Sequence, residues 1–97
     1  MTKNRKVFIS QPMGIKSNAQ IASERAELVK RFESEGFEII DTILDLGDVS
    51  PLVCLGESIK LMADASLVYM MPGWEKARGC LIEWEVAKSY GLEIIYG

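Results

Sequence analysis

Histidine is absent from the sequence. Imidazole catalysis is thereby excluded, as are most zinc sites, so carboxylates must carry any acid or base chemistry. Cysteine is nearly absent too. Cys54 and Cys80 stand far apart and outside any C-x-x-C spacing, which points to neither a disulfide framework nor a thiolate metal site. No apolar run approaches the roughly 20 residues that span a bilayer. Residues 1–6 lead straight into a strand pattern with no cleavable signal, so a cytoplasmic protein without a membrane partner is expected. No dense Lys/Arg stripe offers itself to duplex nucleic acid, and the net charge is -3. Gly73 and Gly79 form neither G-x-G-x-x-G nor a Walker A pattern, which leaves dinucleotide and P-loop readings weak.

What is present is the composition of one soluble domain over residues 1–97, with 48% hydrophobic and 26% charged side chains around a single core. Lys6–Ser10 is short, β-branched and aromatic, and reads as a buried strand, with Gln11–Gly14 as the loop after it. Ser17 and Gln20 fit a capping box. Ile21, Leu28, Val29 and Phe32 then recur at helical spacing up to Gly36, giving a helix over about 18–35. Phe37–Asp41 reads as the second strand, followed by an irregular stretch from Thr42 to Val49 with Asp45, Gly47 and Asp48. Ser50-Pro51 opens a second helix whose Leu55, Ile59 and Met62 share a face up to Ala63, with Gly56 weakening its early part. Ser66–Met71 is apolar on both faces, as a central strand covered by helices should be. A third helix over Gly79–Tyr90 aligns Ile82, Val86 and Tyr90 before Gly91, and Leu92–Tyr96 supplies the last strand.

Alternating strands and helices give right-handed crossovers and a parallel sheet. The expected architecture is α/β in three layers, flavodoxin-like or Rossmann-like, with four strands in the order 2-1-3-4. In that order the connections after strands one and three leave in opposite directions, opening a crevice beyond their carboxyl ends. The facing loops carry Gln11, Pro12, Met13 and Gly14 on one side and Gly73, Trp74, Glu75, Arg78 and Gly79 on the other. Glu83 is expected in the first turn of helix three. Free backbone N–H groups and the helix dipole would hold it ionised there, fit to act as a nucleophile or simply to complement the dipole. Trp74 could stack on a flat ring or anchor its loop, and Arg78 could meet a phosphate or pair with Glu75. Glu85 reads as a surface charge, the methionines as core filler, and Asp45, Asp48 and Asp64 as turn or cap residues as readily as catalytic ones.

Three blocks carry a resemblance to a known family: residues 6–14 at the first strand, residues 64–76 around the third, and residues 78–91 on the last helix. Over nearly its whole length the chain resembles the nucleoside 2-deoxyribosyltransferase-like family, especially its short bacterial and phage members. The family's nucleophile is a Glu four residues before an Ala and eight before a Gly, and those positions here are Glu83, Ala87 and Gly91. The resemblance implies attack by the Glu83 carboxylate on the anomeric carbon of a deoxyribosyl or ribosyl group, through an oxocarbenium-like transition state to a covalent glycosyl-enzyme. A second base then accepts the sugar in a transferase, and water accepts it in a hydrolase. No metal and no cofactor is implied; the partner is a small-molecule nucleoside or nucleoside 5′-monophosphate, and the assembly a homo-oligomer. Where the family carries a Tyr whose hydroxyl bonds the nucleophile, this chain has Phe8; where it carries Asp or Ser six residues before the nucleophile, this chain has Ala77. Asp45, Glu57 and Glu75 are the candidates for the acid that assists departure of the base.

Overall fold

β-Branched and aromatic side chains at Val7, Phe8 and Ile9 make Arg5–Ser10 the first strand, β1, and its last four residues are buried. The computed structural model describes residues 5–14, 16–42 and 50–97. Helix α1 (Asn18–Ser34) starts where the Ser17 hydroxyl accepts the Gln20 N–H at 3.1 Å, satisfying one of the free donors of the first turn. It stops before Gly36, whose φ of 90° lies in the left-handed region. Strand β2 covers Phe37–Ile39. Helix α2 (Pro51–Met62) is capped by Ser50, which accepts the Val53 N–H at 3.2 Å, with proline in the first turn where its missing N–H costs nothing. Strand β3 (Leu67–Met70) is buried at all four residues. A single 3-10 turn (Trp74–Lys76) leads into α3 (Arg78–Ser89), and β4 (Glu93–Tyr96) closes the order.

Every strand pair is parallel and the sheet runs β2-β1-β3-β4, the three-layer doubly wound arrangement expected from the alternation of elements. Pleating divides the core in two. Val7, Ile9, Leu67 and Tyr69 face α1, where the Phe32 ring meets Phe37 and Tyr69 edge-on at 5.3 and 5.5 Å between centroids. Phe8, Val68 and Met70 face α2 and α3 through Met62, Cys80 and Ala87. Among the described residues no helix is long and apolar enough to cross a membrane.

One expectation about the elements needs correction. Helix α3 does not turn Ile82 and Tyr90 inward: Ile82 is 38% and Tyr90 81% exposed, while Cys80, Glu83 and Ala87 are buried and the half-buried Val86 packs against the core. The inward stripe passes through a carboxylate, so a face assigned from apolar residues alone is rotated away from it. Of the irregular stretch at 42–49, only Thr42 lies within the described residues, so Asp45, Gly47 and Asp48 fall outside them.

Two glycines separate backbone conformation from space. A Cβ at Gly36 or at Gly56 would meet nothing within 4 Å, but only Gly36 has positive φ. In urea denaturation Gly56→Ala is expected to stabilise by about 1 kcal/mol, as alanine does inside a helix. Gly36→Ala is expected to destabilise by roughly 1–2 kcal/mol, the cost of a left-handed Cβ. Shifts of the same sign would contradict the assigned helix end.

Candidate active site

The chain leaves β1 toward α1 on one face of the sheet and leaves β3 toward α3 on the other, and the divergence opens a cleft of about 640 Å³. Gln11, Pro12, Met13 and Gly14 wall it on the β1 side, and Gly73, Arg78 and Gly79 on the β3 side; Cys54, Leu55 and Ser58 of α2 close a third side. Glu83 lines this cleft and is the only carboxylate to do so among the described residues.

Its setting differs from the one expected. Glu83 is the sixth residue of α3 and so lies in the second turn, past the free amides; the first turn holds no acidic residue. Burial governs it instead. The side chain is 9% exposed, and loss of water pushes its carboxyl up to about 7, against the opposing pull of the Ser10 hydrogen bond and the Arg25 charge. At neutral pH the group is therefore close to its midpoint rather than held firmly negative.

Ser10 is the contact that the sequence reading missed. At the end of β1 its Oγ donates to Glu83 Oε1 at 2.6 Å, with both groups buried. The strand period of two puts Ser10 on the same face as Phe8. Phe8 carries no hydroxyl, and Ser10, the next inward position, supplies the one that meets Glu83. Beside it, burial pushes the Cys80 thiol up to about 11, so this cleft-lining sulfur stays protonated at neutral pH.

Arg25 was also missed. It lies on the buried stripe of α1 between Ile21 and Phe32, and a cation on an apolar helix face was the available signal. Its Nε donates to Gln11 Oε1 at 2.7 Å. Gln11 Nε2 in turn donates to the Ile21 carbonyl at 3.1 Å and to Glu24 Oε1 at 3.0 Å, so both amide donors are taken up in tying the loop to α1. Gln11 is a scaffold for the cleft wall more than a free contact for a substrate. Burial lowers the Arg25 pKa, while Asp41 and Glu83 favour its charge.

Trp74 does not face the cleft. It packs against Trp84 and Tyr96 with centroids at 5.4 and 5.7 Å, and Trp84 Nε1 donates to the Tyr96 hydroxyl at 3.0 Å. Among the acids considered for base departure, Glu75 is exposed and absent from the cleft lining, Glu57 pairs with Lys60 at 2.9 Å away from it, and Asp45 lies outside the described residues. Ala77 is the N-cap of α3 and offers no side-chain hydrogen bond to the first turn. That turn opens into the cleft at Arg78, Gly79 and Cys80, leaving backbone donors for a ligand.

Fold and site together define a small doubly wound α/β protein with, among the described residues, one buried carboxyl group at the switch point of its sheet. The model of the family described as Domain of unknown function (DUF4406) matches residues 5–96, and the chain belongs to that family. No curated protein matches it.

The raised pKa fixes a pH dependence. The folded protein binds the Glu83 proton more tightly than the unfolded chain, so stability falls as pH climbs from about 4.5 to about 7 and is flat in this respect outside that window. Glu83→Gln mimics the neutral acid and keeps an acceptor for Ser10. The variant is expected to exceed the wild type by roughly 2–3 kcal/mol at pH 8 and to lose that margin at pH 4.5, read by urea denaturation. A margin independent of pH would show that Glu83 is not the group that titrates.

Proposed function

We propose that the protein cleaves or transfers the N-glycosidic bond of a nucleoside or nucleoside 5′-monophosphate, with Glu83 as nucleophile. The observation that carries this reading is the 2.6 Å Ser10–Glu83 hydrogen bond at the wall of a cleft beyond the carboxyl ends of β1 and β3. Ser10 holds one carboxylate oxygen, so the other is oriented for attack. Near its midpoint at neutral pH, Glu83 supplies a substantial ionised fraction and remains basic enough to be a capable nucleophile. The sequence resemblance at residues 78–91 supports the same role for the same residue.

In the proposed step the Oε2–C1′ bond forms as the C1′–N bond breaks, and the bonding pair leaves with the base. Positive charge builds on the sugar in the transition state, where the adjacent carboxylate stabilises it. The leaving base takes its proton from solvent at the cleft mouth. Water or the nitrogen of a second base then attacks C1′, losing a proton to solvent, as the Oε2–C1′ bond breaks and its electron pair returns to Glu83. The uncapped first turn of α3 and the nearby Arg78 and Lys76 suit a 5′-phosphate, which favours a monophosphate over a nucleoside. A second reading draws on Glu83 being the only carboxylate that lines the cleft among the described residues: without a partnering acid, the cleft serves as a nucleotide-binding module.

Base release from a panel of nucleosides and 5′-monophosphates, followed by chromatography, separates the two. The account predicts release that rises with pH through about 7 as Glu83 ionises, and at least a 10³-fold loss in Glu83→Ala. Release that survives Glu83→Ala removes Glu83 from the chemistry. Thermal stabilisation by a nucleotide without any release favours the binding module.

A further inference from the structure

Thr42 follows β2 at its carboxyl end and is 4% exposed. The Ile40 N–H continues the ladder by donating to the Val7 carbonyl at 3.0 Å. Burial then alternates, with Ile40 and Thr42 inward and Asp41 outward, and Ile40 packs in the same core cluster as Phe8. Thr42 therefore lies on the sheet face that carries Phe8 and Ser10. Val7 opposes Ile39 in the β1–β2 register, and extending that register sets Thr42 level with Ser10, about one strand spacing, roughly 5 Å, away. The residue lines the same cleft as Glu83, yet its Oγ1 is shut from water and has no hydrogen-bond partner among the described residues. Buried hydroxyls are nearly always paired, and the described residues leave this one open to a ligand in the cleft.

We propose that Thr42 is a specificity residue that hydrogen-bonds the 2′-hydroxyl of a ribosyl substrate, making the cleft selective for ribosyl over 2′-deoxyribosyl compounds. The inference rests on the reading of Glu83 as nucleophile, because that reading fixes where the sugar lies. Ser10 touches Glu83 at 2.6 Å, so with the anomeric carbon at Glu83 a group one strand spacing beyond Ser10 lies on the side of the ring atoms nearest that carbon. On a furanose ring these include the ring oxygen and the 2′-hydroxyl. A threonine hydroxyl both donates and accepts, and of the two only the sugar hydroxyl can answer both. Rotation about χ1 exchanges the oxygen and the methyl group on Cβ, which turns the buried oxygen to the ligand. Phe8, the neighbouring inward position on β1, is apolar and offers no competing partner.

The test follows thermal unfolding of wild type, Thr42→Val and Thr42→Ser, alone and with matched pairs of ribo- and 2′-deoxyribonucleoside 5′-monophosphates, with base release measured in the same samples. Without nucleotide, Thr42→Val keeps the shape and removes the unpaired hydroxyl, so Tm is expected to rise by roughly 4–8 °C. A fall of that size would mean that the hydroxyl is already paired in the free protein and would overturn the proposal. With nucleotide, wild type and Thr42→Ser are expected to favour the ribose member roughly tenfold, and Thr42→Val to lose the preference. A wild type that treats both members alike, or a preference that survives in Thr42→Val, refutes the role of Thr42 and leaves Glu83 untouched. A wild type that neither releases base from any of these nucleotides nor is stabilised by one overturns both.

Discussion

Burial of the Glu83 carboxyl against the Ser10 hydroxyl is the constraint around which the carboxyl end of the sheet is organised. Losing water penalises the ionised form, and one short hydrogen bond with a nearby guanidinium only partly restores it. A carboxyl group kept near neutrality costs stability above pH 7, and groups perturbed in this way cluster at functional sites. The surrounding residues serve that arrangement. Arg25 braces Gln11 and contributes its charge, Gln11 ties the β1 loop to α1, and the Trp74–Trp84–Tyr96 cluster fixes the approach to α3 from outside the cleft.

Topology supplies the position. Ser10 ends β1 and Glu83 lies on α3, 73 residues apart in the chain, and they meet because β1 and β3 are neighbours while their following helices lie on opposite faces. Thr42, three residues beyond the end of β2, lines the same cleft as Glu83, which Ser10 holds from the end of β1. Around these groups the walls are largely apolar and backbone, with open amides at the first turn of α3. A few polar groups among apolar walls are what the proposed nucleotide would need in order to be oriented there.

Much of the fold was legible because local signals agreed. Ser17 and Ser50 at the helix starts, Gly36 and Gly91 at the stops and the fully apolar β3 each have one favoured structural meaning, and the strand order followed from their alternation. The misread elements are those that depart from binary patterning. On α3 the inward stripe contains Glu83, and on α1 it contains Arg25, so apolar periodicity pointed to Ile82 and Tyr90 in one case and passed over a buried cation in the other. Trp74 shows the opposite failure: an aromatic beside glycine and charges looked available for a ligand, but Trp84 and Tyr96 come from later elements that only the tertiary structure brings to it. The start of α3 was read to within one residue, and the error over Glu83 lay in the turn count: even from Gly79 it is the fifth residue, already past the first turn.

The most direct measurement is an NMR titration of the Glu83 side-chain carboxyl carbon in glutamate-labelled protein, assigned by comparison with Glu83→Gln. The account predicts a midpoint near 7, moving upward in Ser10→Ala as the stabilising donor is lost. A midpoint near the ordinary 4.5, unchanged when Ser10 is replaced, would contradict it.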